Sequence, residues 1–178
     1  MAYHGVLIPS AIMATNIDSL NRSMVSGSPI DNGMVVVMGN KSGVAGNTEV
    51  FMGTLNASTS ATNMWMAYQA DEVVSTGNYK GLDPDVRNFY VSASKVFSAY
   101  KPQVGDIIVM TADSFVSGYS ASLTYANATA GEWKLKWEAT QPTNGLSYKY
   151  IKTTYISLAE GNIGDQRVTA YQVECLAN

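Results

Sequence analysis

Cysteine, histidine and charged residues are scarce in this chain of 178 residues. There is one cysteine, Cys175, and one histidine, His4. A lone cysteine excludes an internal disulfide, a CxxC redox pair and a zinc cluster built from thiolates. A chain of this length buries about 70% of the surface that its unfolded form exposes, so a single domain folds without such cross-links.

Long apolar runs and a surplus of basic residues are also missing. The longest apolar stretches, such as 34–38 and 107–110, are far shorter than the roughly 20 residues of a membrane helix. Eleven basic and fourteen acidic residues give a formal net charge of −3, unlike the concentrated positive charge of a nucleic-acid-binding surface. The first residues do not follow the pattern of a secretion signal. The sequence therefore predicts no membrane and no nucleic-acid partner, and it favours folding in a reducing cytoplasm.

Residues with catalytic or metal-binding chemistry are few. His4 is the only possible base for a nucleophile–histidine site, and we interpret it as a surface or interface histidine. Cys175 lies in a β-rich run, where a small buried hydrophobe is the favoured interpretation. Asp83-Pro84-Asp85 lacks the ligand spacing of a calcium loop and is typical of a turn.

Paired carboxylates for glycoside hydrolysis would have to come from residues such as Asp106, Asp113, Glu132 and Glu138. Nothing in the sequence brings two of them together. The sequence thus predicts a protein that is not an enzyme, with no catalytic residue, no metal site and no cofactor.

Short β-rich runs separated by turn residues make up most of the chain. The runs that we assign as strands are 34–38, 49–55, 64–69, 107–111, 133–138, 148–158 and 168–176. Residues 86–100 fit either a helical face or strands, and their β-branched and aromatic residues favour strands. Residues 71–85 predict an exposed loop. A total of about eight strands predicts a mainly β fold, an antiparallel sandwich or barrel.

In residues 1–32 the hydrophobic residues show no sustained period of 2 or 3.6 residues. This predicts an extended N-terminal arm, with the β domain over residues 33–178. Ordering each residue costs about 1–2 kcal/mol of backbone entropy, so an arm of this length stays ordered only against another surface. It either lies over its own domain or docks on a neighbour; an ordinary mobile terminus is the other interpretation. For docking on a neighbour, Val6, Leu7 and Ile8 are the predicted contact residues.

The predicted surface is rich in uncharged polar residues, because only 14% of residues are charged and eleven are tyrosine. Such a composition suits contacts with other proteins. Trp65, Trp133 and Trp137 could stack on sugar rings, as in a carbohydrate-binding module. However, Trp133 and Trp137 share a strand face with Leu135, which favours a place in the core.

Four lysines, Lys134, Lys136, Lys149 and Lys152, could gather on one face of neighbouring strands. A solvated or salt-bridged sheet face is the favoured interpretation. The alternative is contact with an acidic neighbouring subunit, one that presents Asp71, Glu72, Asp83 and Asp85.

The run VFSAYKPQVGDIIVMT at residues 96–111 resembles a segment of the small virion proteins that decorate or cement the capsids of tailed bacteriophages. The closing stretch, from 149–153 through 166–171, is similar to the C-terminal strands of those proteins. Together these segments cover about a quarter of the chain. Residues 1–85 match no pattern of the family.

The resemblance implies a non-enzymatic virion structural protein, and it brings no active-site residues with it. Such a protein is made in the host cytoplasm and sits on the capsid surface, where it binds the major capsid protein and copies of itself as a homo-oligomer. The alternatives are a structural protein of the tail or baseplate and a carbohydrate-binding module, with an enzyme as the third possibility.

Overall fold

The computed structural model describes residues 3–43, 46, 48–58, 63–69, 86–159 and 165–178. Eleven strands lie in these ranges. They are β1 (Leu7–Ala11), β2 (Asn21–Val25), β3 (Val35–Lys41), β4 (Phe51–Thr54), β5 (Met64–Ala67), β6 (Val96–Tyr100), β7 (Ile107–Thr111), β8 (Tyr125–Asn127), β9 (Lys136–Glu138), β10 (Ser147–Ala159) and β11 (Asp165–Ala177). Between them lie short 3-10 turns at Met13–Asn16, Asp18–Leu20, Val86–Asn88 and Ala112–Ser114.

The strands form two layers. One is a six-stranded sheet in the order β1-β7-β11-β10-β8-β9, and the other is a closed barrel in the order β2-β4-β3-β5-β6. All strand pairs are antiparallel except β2 with β4. The mainly β fold predicted from the sequence is confirmed. The strand number exceeds the expected eight because β1, β2 and the three-residue β8 carry no alternation long enough to recognise.

Two hydrophobic clusters follow from this layering. Inside the barrel, Met24, Val36, Trp65 and Phe97 are buried against one another. Between barrel and sheet lies a larger cluster, to which the barrel contributes Met64, Met66 and Tyr100, and the sheet contributes Ile108, Met110, Tyr148 and Val173. The alternation predicted at 64–69 is therefore present in β5, but both of its faces are buried.

Residues 3–32 belong to both layers, which differs from the predicted arm. β1 pairs with β7, and β2 pairs with β4 and β6. Of the two positions considered for this segment, it occupies the one on its own domain. The sequence hid these strands because each has only five residues and the turns at 13–16 and 18–20 interrupt any period.

The ambiguous stretch 86–100 contains no α-helix. Val86–Asn88 is a 3-10 turn, Val91 forms an isolated bridge with Ile30, and Val96–Tyr100 is strand β6, as the composition favoured. Ser94 has a φ of 63°, so the backbone turns there and cannot continue a helix.

The C-terminal strands were also predicted correctly: β10 and β11 are thirteen residues each and pair as an antiparallel hairpin. The expected strand at 133–138 is shorter, Lys136–Glu138, while Leu135 and Trp137 are buried as expected. The predicted loop 71–85, with Asp83-Pro84-Asp85, lies outside the described residues.

Gly5 provides a test of whether the N-terminal segment packs on its own domain. A Cβ at this position would lie 2.5 Å from Ser114 Oγ and 3.0 Å from the Asn32 carbonyl oxygen. We therefore expect Gly5→Ala to lower the free energy of unfolding by about 1–3 kcal/mol, as overpacking does. Urea unfolding followed by circular dichroism measures this.

The matched control is Gly118→Ala, because a Cβ there meets nothing within 4 Å. We expect the control to leave the unfolding midpoint unchanged. Equal midpoints for the two variants would mean that residues 3–6 are not packed against Ser114 in solution.

Candidate interaction surface

The six-stranded sheet turns one face toward the barrel and the other outward. Side chains alternate along each strand, so directly paired residues form rows on one face. One row on the outward face runs from Ile8 to Val109, Gln172 and Lys152. This row and the row described next make up what we call the outer sheet face.

The second row of the outer sheet face carries paired charges. Ile107 lies opposite Glu174, Glu174 opposite Lys149, and Lys149 opposite Tyr125. Opposite charges on neighbouring strands stabilise the pairing and neutralise each other. The outer sheet face is thus apolar toward β1 and β7, and toward β10 it carries Glu174, Lys149 and Lys152.

The β10–β11 hairpin extends beyond the sheet. β10 pairs with β8 only over Ser147–Lys149, whereas β11 pairs with β7 only from Ala170 to Glu174. Beyond these positions the two strands pair only with each other, so residues 153–159 and 165–169 form what we call the projecting ribbon. At about 3.3 Å per residue it extends roughly 20 Å.

An exposed aromatic side chain lies in the projecting ribbon. Tyr155 is 56% exposed, and the Arg167 guanidinium lies 5.4 Å from its ring centroid. Tyrosine and arginine are enriched among the residues that dominate binding energy at protein interfaces. A two-stranded ribbon is marginally stable alone in water, so contact with a partner would stabilise it.

The three predicted contact residues are in different environments. Val6 and Leu7 are buried, and Val6 exchanges main-chain and side-chain hydrogen bonds with Thr111. They hold the N-terminal segment in the fold and are not available to a partner. Ile8 is 41% exposed on the outer sheet face, where its role as a contact stays a prediction.

The four lysines do not form one patch. Lys134 donates a hydrogen bond to the Asp113 carbonyl oxygen at 2.7 Å and lies 3.9 Å from Asp31. Lys136 lies 3.7 Å from Glu138. Lys149 and Lys152 are in the two rows of the outer sheet face, and Lys136 lies on the same side of the sheet, because Glu138, two residues away, is paired with Tyr125 of the second row. The acidic residues proposed as a counterpart, Asp71, Glu72, Asp83 and Asp85, lie outside the described residues.

His4 connects the start of the N-terminal segment to Asp31, Tyr90 and Arg87. Its Nδ1 lies 2.7 Å from Asp31 Oδ1, and its ring stacks on Tyr90 with centroids 4.7 Å apart. Its main-chain N–H donates to the Arg87 carbonyl oxygen. None of the hydrogen bonds described for His4 reaches a hydroxyl or thiol, so this arrangement assembles no nucleophile.

Cys175 is fully buried in β11, as the sequence indicated. Burial, and secondarily the nearby Asp106 carboxylate, raises the pKa of its thiol to about 12. Because the thiolate is the reactive form, this cysteine is inert near neutral pH.

The carboxylates considered for catalysis have structural roles where their partners are described. Asp106 accepts hydrogen bonds from the main-chain N–H groups of Met13 and Gln103, both at 2.8 Å. Glu138 accepts one from the Asn127 amide. Among the described residues, no group of three histidine, cysteine, aspartate or glutamate side chains could hold a metal ion.

The tryptophans do not offer an exposed platform for sugars. Trp65 lies in the barrel core, and Trp137 stacks on Phe115 with centroids 4.6 Å apart. Trp133 is partly buried against the barrel cluster. Trp137 therefore occupies the core position expected for it, whereas Trp133 is only partly buried and packs against the other cluster.

Comparisons with family models, with curated proteins and with solved structures found no match for this chain. None of the helices in the described ranges is long and apolar enough to cross a membrane.

Two buried tyrosines predict a loss of stability at alkaline pH. Burial raises the pKa of Tyr100 and Tyr148 above the ordinary value of 10.0. Above that pH the unfolded chain releases protons that the folded chain retains, so the free energy of unfolding falls as pH rises. Each tyrosine contributes a slope of up to about 1.4 kcal/mol per pH unit.

The measurement is urea unfolding at about pH 9 and about pH 11. We expect Tyr148→Phe to lose less stability over this interval than the parent chain, because phenylalanine has no proton to release. Tyr155→Phe, at an exposed position, is the control and should match the parent. Identical pH dependence for all three proteins would mean that Tyr148 is not buried in solution.

Proposed function

We propose that this protein is a non-enzymatic virion structural protein that decorates or cements the capsid of a tailed bacteriophage. It binds the major capsid protein and copies of itself on the capsid surface. The observation that carries the proposal is the open outer sheet face, with Ile8 at its apolar side and the projecting ribbon beside it.

The segments that resemble capsid decoration proteins support this proposal through their position. They include β6 in the barrel, and they include β7 and parts of β10 and β11, which are neighbours in the six-stranded sheet. β7, β10 and β11 carry both rows of the outer sheet face except Ile8 on β1 and Tyr125 on β8. The resemblance and the proposed contact surface therefore overlap in part.

The proposed mechanism is avidity. Each contact is weak on its own, because a half-apolar sheet face and a narrow ribbon bury little area. A lattice of many copies makes such contacts simultaneously, and linked weak contacts give strong retention.

Copy number tests the proposal against a tail or baseplate role. Particles purified from the source are analysed by mass spectrometry, and this chain is quantified relative to the major capsid protein. A comparable copy number is expected for decoration, whereas a low fixed number would indicate the tail. Absence from particles would overturn the virion proposal and favour a carbohydrate-binding module.

Ile8 provides a test of the surface itself. We expect Ile8→Asp to weaken binding to undecorated capsids at least about tenfold, because it places a charge in the apolar part of the outer sheet face. Co-sedimentation of the purified protein with capsids measures the binding, and thermal unfolding confirms that the variant folds.

Val116→Asp is the matched control, because Val116 is 42% exposed and lies outside the six-stranded sheet. It should bind capsids as the parent chain does. Equal binding by both variants would exclude the surface around Ile8 as the capsid contact.

A further inference from the structure

A pocket of about 500 Å³ lies between the N-terminal segment and the barrel. Pro9, Ile12 and Thr15 form one wall, and Tyr68 and Gln69 contribute to the other. Its volume lies within the range of roughly 300–1,000 Å³ that small-molecule sites occupy. The pocket is separate from the outer sheet face.

Hydrogen bonds fix both walls of this pocket. On one side, the Asn21 amide nitrogen donates to the carbonyl oxygens of Ala14 at 2.7 Å and Ile17 at 3.1 Å. On the other, the Gln69 main chain exchanges two hydrogen bonds with the Asn32 side chain. Gln69 Oε1 also accepts from the Ser98 main-chain N–H at 3.1 Å. The pocket is therefore preformed.

These bonds leave complementary polar atoms on the two amides. Among the hydrogen bonds of the described residues, none uses Asn21 Oδ1, an acceptor, or Gln69 Nε2, a donor of two hydrogens. Thr15 and Ser98 add hydroxyl groups to the lining. A hydroxyl group can donate or accept, so a ligand that carries several hydroxyl groups can pair with both the amide donor and the amide acceptor.

The rest of the lining narrows the chemistry of the ligand further. No described lining residue carries a charge at neutral pH, so a charged ligand would lose its hydration without a partner. Pro9, Ile12 and the Tyr68 ring supply apolar surface. A ligand with hydroxyl groups on its edges and C–H groups on its faces fits both kinds of surface.

An added peptide strand is a poorer match. Peptides that add to a sheet bind through the free main chain of an edge strand. At the pocket, the main chain of β6 is already paired with β2 on one side and with β5 on the other. On β1, the edge strand of the sheet, the lining residue is Pro9, which has no N–H to donate to an added strand.

From these observations we infer that the pocket binds a short neutral saccharide. Gln69 and Asn21 contact its hydroxyl groups, and the Tyr68 ring contacts the C–H groups of a sugar ring. This site involves none of the three tryptophans considered for sugar stacking in the sequence analysis, and it does not depend on the proposed capsid role.

The test uses saturation-transfer difference NMR on the full chain. The probes are glucose, galactose, mannose, N-acetylglucosamine and their disaccharides, each at up to about 10 mM, with a neutral Gly-Ser-Ala peptide in a parallel series. We expect at least one saccharide to bind and the peptide not to bind. Binding of the peptide alone, or of no saccharide, would overturn the inference.

Three variants then locate the site. Gln69→Glu keeps the oxygen that accepts from Ser98 but replaces the free NH2 donor, so we expect affinity for the saccharide to fall about tenfold. Thr15→Val removes an exposed hydroxyl at nearly constant volume and should lower affinity for the saccharide about threefold. This variant tests the site if Gln69→Glu fails to fold. Tyr155→Ala, in the projecting ribbon, is the control and should bind as the parent chain does. Unchanged affinity in a folded Gln69→Glu or Thr15→Val variant would place any binding elsewhere and refute the site.

Discussion

The packing of β5 between the barrel and the sheet is the constraint on which the remaining structure depends. Met66 is fully buried there, and the hydroxyl groups of Tyr100 and Tyr148 both donate to its sulfur, at 3.2 Å and 3.9 Å. One tyrosine comes from the barrel and the other from the sheet, so this contact joins the two layers. Thioether side chains adapt to such irregular gaps and make favourable contacts with aromatic rings.

The joined layers explain why the N-terminal segment is part of the fold. β1 completes the sheet beside β7, and β2 closes the barrel between β4 and β6. The segment between them must cross from one layer to the other, and its crossing forms a wall of the pocket. Asn178 makes a second connection, because its amide donates to the carbonyl oxygens of Met64 and Pro102.

The proposed binding surfaces differ in how much the rest of the fold supports them. The outer sheet face is presented by strands whose inner side is packed on the barrel, so it is a rigid surface suited to repeated contacts. The projecting ribbon has no such support beyond Ala170 and Lys149. The pocket owes its shape to amide side chains that hold two chain segments in place. These hydrogen bonds also fix the polar groups that line the pocket, and they do so without any charged residue.

The sequence by itself determined the β class, most of the longer strands, the inert burial of Cys175 and the core position of Trp137. Each of these follows from local information, namely alternation, turn residues or the polarity of a side chain. The tertiary structure alone decided that Leu7 is core while Ile8 is surface, since the face of a five-residue strand depends on its register with β7. It also decided that Asn21 and Gln69 line one pocket, because no local pattern relates residues that are 48 positions apart until the barrel closes.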